Sequence, residues 1–422
     1  MDEEARRRQA MELLRRGVAI SEICRRLGRT RQWLGKWRQR AAADGEEAGL
    51  RDRSRAPRRR PRATPARIVR AVLAARDRLA RRQGRRRFAG IGVDAVAWEL
   101  ELAGVRPVPA HRTIERLLER SGRTARPRTP RPAPAPSGYP APVAERPGDL
   151  QETDLVGPRH LRTPRGPLRF FSFDTVDVGG GGAATWQGPD KSAESFCHYL
   201  VLEAWARLGL PWVWQVDNEA ALAGFEPAGR VFTQPVRLAL LLGVAVRFIP
   251  KGEPGRQADV ESFNALWQAR VLHRFECPGL PRLRAVSARF DRWWMEERPH
   301  PKLSLARHGT RFPAELLASL DGVLRRIPAG FSLETYRDAA GELRLPLARG
   351  RISWVRRVGE RGELAILGHR LRLGRSAANE YVVVTLSTAR AEIAVRLDGR
   401  VIGTYRHPID ERVVRPLVAP GR

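Results

Sequence analysis

Apolar side chains recur at helical spacing through residues 1–53, in three short runs separated by turns. The first run predicts an amphipathic helix around Met11. The sequence ISEICRRLG predicts a second helix that Ser21 caps and Gly28 ends, and TRQWLGKWRQR predicts a third that Thr30 caps. Two short helices joined by a tight glycine turn have the spacing of a helix-turn-helix, so we expect that fold here.

The third helix carries apolar side chains on one face and polar, mostly basic side chains on the other. Side chains of the polar face can donate hydrogen bonds to phosphates and base edges, as a recognition helix must. The DNA-binding candidates on this face are Arg31, Gln32, Lys36 and Arg40. An ordinary three-helix bundle with a solvated basic face is the alternative.

A second helical unit is predicted over residues 67–120. A helix from Ile68 to Arg82 is followed by two shorter amphipathic helices, GIGVDAVAWELELAG and VPAHRTIERLLERSG. Arg112 and Thr113 lie where a recognition helix would begin, so they are further DNA-binding candidates. The turn before this helix is longer than in the first unit, and glutamates dilute the positive charge.

Two proline-rich stretches separate the predicted units. The first, SRAPRRRPRATP, is strongly basic, and its arginines Arg58, Arg59 and Arg60 are candidates for a minor-groove contact. A solvated run of charge is the alternative. The second stretch covers residues 121–149 and cannot continue a helix, so we expect an extended linker.

From residue 150 the pattern changes to that of strands, and residues 150–320 are predicted to form one α/β domain. The sequences LQETDLVGPRHL, LRFFSFDTVDV and AATWQG predict three antiparallel strands. They are followed by a helix, the strand WVWQV, a second helix, the strand VAVRF and a helix that begins at ADVESFN. This is the element order of a ribonuclease-H-like sheet.

The segment 330–420 alternates apolar and polar residues in short stretches with glycine turns, which predicts a small C-terminal β-barrel for DNA binding or assembly. A purely structural barrel is the alternative. Its candidate phosphate contacts are Arg351, Arg356, Arg357 and Arg370. The chain as a whole is therefore predicted to be multidomain, with two N-terminal all-α helix-turn-helix units, an α/β ribonuclease-H-like core and this barrel.

The formal net charge of +31 points to nucleic acid as the partner. A GC-rich genome would replace lysine with arginine, but it would not produce such a surplus over the acids. The three cysteines are too widely separated for a disulfide framework, which favours a reducing compartment. The sequence offers no apolar signal core or membrane span, so we expect a cytoplasmic, nucleoid-associated protein with no membrane partner.

Three carboxylates lie on separate predicted elements of the core. Asp154 lies within the first strand, Asp217 ends the fourth, and Glu261 lies in the first turn of a helix. Hard divalent cations prefer clusters of oxygen ligands, and two-metal phosphoryl transfer needs acids that converge from several elements. Their spacing alone leaves competitors, which are Asp174, Asp177, Glu219 and Asp259.

The competitors differ in their predicted surroundings. Asp174 and Asp177 are three apart on one strand and therefore on opposite faces, so at most one is expected to point inward. Asp259 precedes Glu261 by about 200° around the helix, and it is better interpreted as an acid that stabilises the helix N-terminus.

The stretch 150–320 resembles the integrase catalytic core of retroviral integrases and bacterial insertion-sequence transposases, the Asp-Asp-Glu superfamily. QETDLVGPRHLR and FFSFDTVDV resemble its first two strands, WQVDNEAAL resembles the second-Asp motif, and FIPKGEPGRQADVESFN resembles the loop and helix that bear the Glu. The front of the chain, with GLRDRSRAPRRRP and two helix-turn-helix units, resembles those transposases as well. The resemblance selects Asp154, Asp217 and Glu261 as the catalytic, metal-binding residues.

This chain departs from the family beside the triad. Asn218-Glu219 follows the second Asp where many relatives have Asn-Gly, and Gln257-Ala258-Asp259 replaces the common Asn-Gly-Lys. The interval between the second and third acids is also longer, which fits an insertion around LAGFEPAGR. These differences bear on loop geometry and contacts with DNA ends more than on metal binding.

The resemblance implies two Mg²⁺ (or Mn²⁺) ions per active site, and double-stranded DNA, both terminal repeats and target, as the partner of a homo-oligomer. It implies cleavage of the element ends and their transfer to target DNA. Side chains expected near the DNA end are Lys251, Arg256, Asn264 and Gln268, with ordinary surface polarity as the alternative. A domesticated, inactive DNA-binding protein and a metal nuclease of the same fold that does not join ends are the rival functions.

Overall fold

The computed structural model describes residues 2–52, 63–83, 88, 90–124, 138–223 and 232–418. The chain divides into two compact units, residues 1–65 and 66–422. The helical segment predicted as a separate domain over 67–120 therefore belongs to the larger unit. The arginines Arg58, Arg59 and Arg60 and most of the segment LAGFEPAGR lie outside the described residues.

The smaller unit is helical, as the periodicity predicts. Its helices are α1 (Glu3–Arg15), α2 (Ile20–Leu27), α3 (Arg31–Asp44) and α4 (Glu46–Leu50). Their buried side chains form one cluster, which includes Met11, Ile23, Leu34, Trp37 and Leu50. The unit is thus a helix-turn-helix closed by a short additional helix that the sequence pattern did not predict.

Local chemistry explains where these helices begin and end. Gly28 ends α2 with φ 59°, a left-handed conformation that glycine adopts without steric cost. The Thr30 hydroxyl accepts a hydrogen bond from the Trp33 amide at 3.2 Å and so caps α3. The predicted cap at Ser21 is wrong, because α2 already begins at Ile20 and Ser21 lies inside it.

The larger unit begins with the helices α5 (Ala66–Gln83), α6 (Val93–Leu102) and α7 (His111–Arg120). They share a small apolar core of their own, but α6 also packs on the rest of the unit. Trp98 meets Phe312 edge to face at 5.5 Å, and Glu101 pairs with Arg311 at 2.9 Å. Glu101, one of the glutamates that lower the positive charge of this segment, therefore holds α6 against the rest of the larger unit.

The strands of the core follow the predicted order. They are β1 (Leu150–Thr163), β2 (Gly166–Asp177), β3 (Ala183–Gly188), β4 (Val213–Val216) and β5 (Ala245–Phe248). Strands β1, β2 and β3 are antiparallel neighbours, whereas β4 lies parallel to β1 and β5 lies parallel to β4. The sheet order β3-β2-β1-β4-β5 confirms the ribonuclease-H-like prediction.

Helices connect these strands and cover the sheet. They are α8 (Ala193–Tyr199), which continues through Leu200–Ala204 into α9 (Trp205–Leu208), then α10 (Ala220–Ala223), α11 (Gln234–Leu241), α12 (Ala258–Trp267, extended by Gln268–Leu272), α13 (Leu280–Arg292, extended by Trp293–Glu297), α14 (Leu305–His308) and α15 (Pro313–Ser319). Helices α8 and α11 pack together against one face of the sheet. On the opposite face, α12 packs on β1 and β2, and α13 packs on β3.

The C-terminal strands do not form the predicted separate barrel. They are β6 (Arg351–Arg357), β7 (Glu363–Ile366), β8 (His369–Arg372), β9 (Tyr381–Ser387), β10 (Glu392–Leu397) and β11 (Arg400–Arg406). Strand β6 pairs in parallel with β5, and β9, β10 and β11 follow outward, so that one sheet has the order β11-β10-β9-β6-β5-β4-β1-β2-β3. Strands β7 and β8 form a separate hairpin.

A shared apolar cluster holds this long sheet together. Trp214 and Phe248 from the core and Trp354 and Leu386 from the added strands belong to the same buried cluster. The rings of Phe248 and Trp354 stack at 5.7 Å. The added strands therefore extend the core's own hydrophobic interior. Among the described residues, no helix is long and apolar enough to cross a membrane.

Because β6 shares this interior, we expect Trp354→Ala to destabilise residues 66–422 as a whole, by about 3–5 kcal/mol. Urea unfolding followed by far-ultraviolet circular dichroism measures the change. Val401→Ala, at a side chain that is 54% exposed on β11, is the matched control and should stay within about 0.5 kcal/mol. A separate early transition of the C-terminal strands, with an unchanged main transition, would contradict the shared interior.

Candidate active site

Two of the predicted carboxylates lie side by side where the parallel pairing of two neighbouring strands ends. Thr153 of β1 is in register with Val216 of β4, so the next residues, Asp154 and Asp217, are adjacent across the sheet. In α/β folds this edge of a parallel pair is where sites are usually built.

The third predicted carboxylate approaches the same edge from above the sheet. Glu261 lies in the first turn of α12, the helix that packs on β1 and β2. One turn later, Asn264 is only 4% exposed, and its Nδ2 donates to Asp154 Oδ2 at 2.6 Å. Since residues three apart share a helix face, Glu261 lies on the side of α12 that faces Asp154.

Burial raises the pKa of all three carboxyl groups, and neighbouring negative charges add to the effect. Burial raises the pKa of Asp217 to about 6, and the negative charges of Asp154 and Glu219 add to the effect. Burial also raises the pKa of Asp154 and, together with the charge of Asp154, that of Glu261. The charge of Asp154 therefore acts on both of the other groups, and each of the three favours a nearby positive charge.

A buried layer of polar side chains fixes the start of α12 over β1 and β4. Gln257 Nε2 donates to the carbonyl oxygens of Thr153 and Gln215 at 3.2 and 3.1 Å. Gln215 Nε2 donates to Glu152 Oε1 at 3.1 Å, and Glu152 Oε2 accepts from the Val260 amide at 3.2 Å. We call Glu152, Gln215 and Gln257 the polar layer. It connects both strands that carry an aspartate to the helix that carries Glu261.

The loop that follows β4 is hydrogen-bonded to a residue of the C-terminal strands. Asn218 Nδ2 donates to the Ile249 carbonyl at 2.8 Å, and Arg356 of β6 donates to Asn218 Oδ1 at 2.9 Å. The neighbouring Glu219 pairs with Lys191 at 2.7 Å. Arg356, interpreted from the sequence as a phosphate contact, thus supports the backbone beside Asp217.

Neither these contacts nor the polar layer was found by sequence reasoning. On a strand, glutamine and glutamate side chains usually face solvent. Here they are buried only because helix α12 covers them. The one available signal was the cluster of uncharged polar residues around the acids, QETD in β1 and WQVDN in β4.

The competing acids have structural partners. Asp174 is fully buried and accepts from Ser172 Oγ at 3.0 Å and from the Thr185 hydroxyl. Asp177, also fully buried, accepts from the amides of Gly148 and Gly180 at 2.7 and 2.6 Å. The prediction that at most one of the two points inward is wrong, because helices cover both faces of this part of β2.

Asp259 occupies the first turn of α12, where its charge is favourable, and pairs with Lys302 at 2.7 Å. This placement agrees with its interpretation as an acid of the helix N-terminus.

The side chains predicted near the DNA end have different surroundings. Lys251 is exposed, whereas Asn264 turns inward to Asp154. Gln268 accepts from Arg159 at 2.8 Å. Arg256 lies over the Tyr139 ring at 4.0 Å and pairs with Glu253 at 2.7 Å.

On the predicted recognition helix α3, Arg31, Gln32 and Lys36 are exposed. Arg40 instead lies over the Trp37 ring at 4.5 Å and donates to the Arg51 carbonyl at 3.0 Å.

In α7, Arg112 is exposed and bonded to Glu115 at 2.5 Å, while Thr113 is half-buried.

The donor set around Asp154 suits an oxygen-preferring cation. Asn264 Oδ1 is buried and accepts no hydrogen bond from the described residues, so an unmatched carbonyl oxygen lies beside the Asp154 carboxylate. Such all-oxygen surroundings are what Mg²⁺ and Mn²⁺ favour. Within the described residues, however, no three acidic, histidine or cysteine side chains are already grouped closely enough to hold a metal ion.

Residues 1–51 match the family model of a homeodomain-like domain. No curated protein matches the chain. Among solved structures, a chain of the simian T-cell lymphotropic virus intasome in complex with PP2A regulatory subunit B56 gamma is 14% identical with a TM-score of 0.34, over 76% of this chain and 96% of that one. The HTLV-2 integrase catalytic core domain in complex with magnesium, in its trimeric form, is 14% identical with a TM-score of 0.30, over 41% and 99%. The catalytic core domain of BIV integrase is 15% identical with a TM-score of 0.30, over 42% and 97%.

The polar layer yields a prediction about unfolding. Gln257→Ala removes two buried side-chain hydrogen bonds, so we expect a loss of about 2 kcal/mol in the free energy of unfolding. Ser262→Ala, at an exposed position of the same helix, is the control and should change little. Urea titration measures both variants. Equal stability of the two would show that the Gln257 contacts contribute nothing.

Proposed function

We propose that the chain is a transposase that binds the ends of a mobile element and catalyses metal-dependent DNA cleavage and strand transfer. The observation that supports the proposal is the placement of Asp154 and Asp217 next to each other, where the parallel pairing of β1 and β4 ends, with the helix that bears Glu261 held over these strands. The resemblance of the surrounding motifs to the Asp-Asp-Glu superfamily assigns these residues to polynucleotidyl transfer.

In this proposal Asp154, Asp217 and Glu261 hold two Mg²⁺ or Mn²⁺ ions. Ions so held would activate a water molecule or a DNA 3′-hydroxyl and stabilise the leaving oxygen. The chain's own contribution is to fix the ligands. Asn264 orients the Asp154 carboxylate, and the Glu219 amide donates to Asp217 Oδ1 at 3.0 Å.

Double-stranded DNA is the proposed partner, both as terminal repeats and as target. Support comes from the homeodomain-like match over residues 1–51, the exposed donors on α3 and the net charge of +31. Bringing two DNA ends together requires at least two protomers, so we also propose a homo-oligomer on DNA.

The enzymatic proposal is tested with the full chain, Mg²⁺ or Mn²⁺, and DNA ends identified from inverted repeats that flank the gene. We expect cleavage and joining by the wild type. Asp154→Asn, Asp217→Asn and Glu261→Gln should each lower the joining rate by at least roughly a thousandfold while DNA affinity is retained. Chelation of the metal should abolish the reaction.

Asp259→Asn is the matched control, since it removes a carboxylate of the same helix that pairs with Lys302. It should retain joining within a few-fold. A wild type as inert as Asp154→Asn would overturn the proposal in favour of an inactive DNA-binding protein. Cleavage without joining, even of a pre-cleaved end, would indicate a metal nuclease.

A second prediction concerns DNA binding by α3. Arg31→Gln combined with Lys36→Gln removes two exposed charges, so the slope of log affinity against log salt should fall by roughly 2 in magnitude. Filter binding of the terminal repeats over a salt series measures the slope.

The control for this prediction is Arg8→Gln with Arg16→Gln, which removes two exposed charges from α1 and the residue that caps it. It should leave the slope close to that of the wild type. Equal losses in both double variants would indicate a non-specific effect of net charge and contradict a recognition role for α3.

A further inference from the structure

Over its outer strands, one face of the long sheet is left uncovered by the helices that the structure describes. A row of side chains crosses it from strand to strand in register: Arg247, Ser353, Thr385, Ala394 and Thr404. Apart from Arg247 these are small, and all are half-exposed or exposed. We call this the open sheet face. It lines a groove of about 680 Å³.

The alternation of the strands explains why this face is open. Residues that alternate with the row, such as Phe248, Trp354 and Leu386, point to the other side and are buried in the main hydrophobic cluster. On the side of the open sheet face, α12 packs on β1 and β2, and α13 packs on β3, at the opposite end of the sheet. The outer strands therefore present small polar side chains that neither helix covers.

Arginines border the groove. Arg351 and Arg390 are exposed and Arg396 is half-exposed, and all three line it. Within the part of the chain that the structure describes, none of the three pairs with a carboxylate, and Glu392 is the only acid of the lining. The open sheet face is thus positively charged and able to accept a polyanion.

The open sheet face lies on the same side of the sheet as the candidate carboxylates. Glu152, Gln215 and Arg247 follow one another in register across β1, β4 and β5. Asp154 and Asp217 lie two residues farther along β1 and β4, and therefore on the same face. The segment before β1 occupies part of this face, because Arg247 donates to the Pro140 carbonyl and the Tyr139 ring meets the Tyr381 ring edge to face at 5.5 Å. The groove therefore shares a face of the sheet with the carboxylates but is not lined by them.

We propose that the open sheet face binds the sugar–phosphate backbone of double-stranded DNA. This inference rests on the proposed function and adds a binding surface outside the helix-turn-helix. The described lining contains no aromatic side chain, whereas surfaces for single strands stack bases on aromatic rings. From β4 to β11 the sheet spans roughly 24 Å, enough to bridge the ~12 Å major groove and contact both of its phosphate rims.

The positive charge of the groove makes the DNA backbone its complementary occupant.

The test compares two triple variants of the full chain. Arg351→Gln, Arg390→Gln and Arg396→Gln remove the groove charges, whereas Arg282→Gln, Arg289→Gln and Arg292→Gln remove three exposed charges from α13. The salt dependence of binding to a random-sequence duplex is measured for each. We expect the affinity of the groove variant to fall at least tenfold and its slope to fall by roughly 2–3, about 0.9 for each phosphate that is no longer neutralised. The α13 variant should stay near the wild type.

Equal behaviour of the two triple variants would overturn the inference, and so would a loss confined to single-stranded DNA of the same length. Urea midpoints within the range of the wild type confirm that both variants are folded. Failure of the wild type to join DNA ends would instead overturn the proposed function, while the comparison of duplex affinities would still decide the role of the groove.

Discussion

The geometry of the candidate site depends on the polar layer beneath the start of α12. Purely apolar contacts would allow this helix to slide or rotate over the sheet, because the hydrophobic effect has no direction. Gln257 instead spans the carbonyl oxygens of two strands, and Glu152 holds the Val260 amide. Since a buried polar group is costly when left unpaired, only one position of the helix satisfies all these groups together. That position brings Glu261 to the edge where Asp154 and Asp217 lie.

The continuous sheet makes the C-terminal strands part of the same scaffold. Strand β6 completes the pairing of β5, and its Arg356 supports Asn218 and the Ile249 carbonyl beside Asp217. The stacked rings of Phe248 and Trp354 connect the two halves of the sheet through its interior. A strand that would otherwise form an exposed edge is thereby covered, and the loop of the second carboxylate is held from both sides.

The sequence predicted the elements well and their assembly only in part. The strands of the core and of the C-terminal segment could be predicted because the alternation of apolar and polar residues along a strand can be read from neighbouring residues alone. The same alternation fits a closed barrel and an extension of an open sheet, and the pairing of Val246 with Ile352 joins residues far apart in the chain. The polar layer was missed because Glu152 and Gln215 are typical of an exposed strand face until α12 covers them. The resemblance, and not spacing, selected the three acids.

The electrostatics of the candidate site favour the binding of positive charge. Burial raises the pKa of Asp154, Asp217 and Glu261, and their charges oppose one another, so the folded chain holds them together against repulsion. The rigid strands and the clamped helix prevent the acids from relaxing apart, and Asn264 donates a side-chain hydrogen bond to Asp154. Divalent cations would relieve this repulsion, and they would also allow a phosphate to approach a cluster that otherwise repels it.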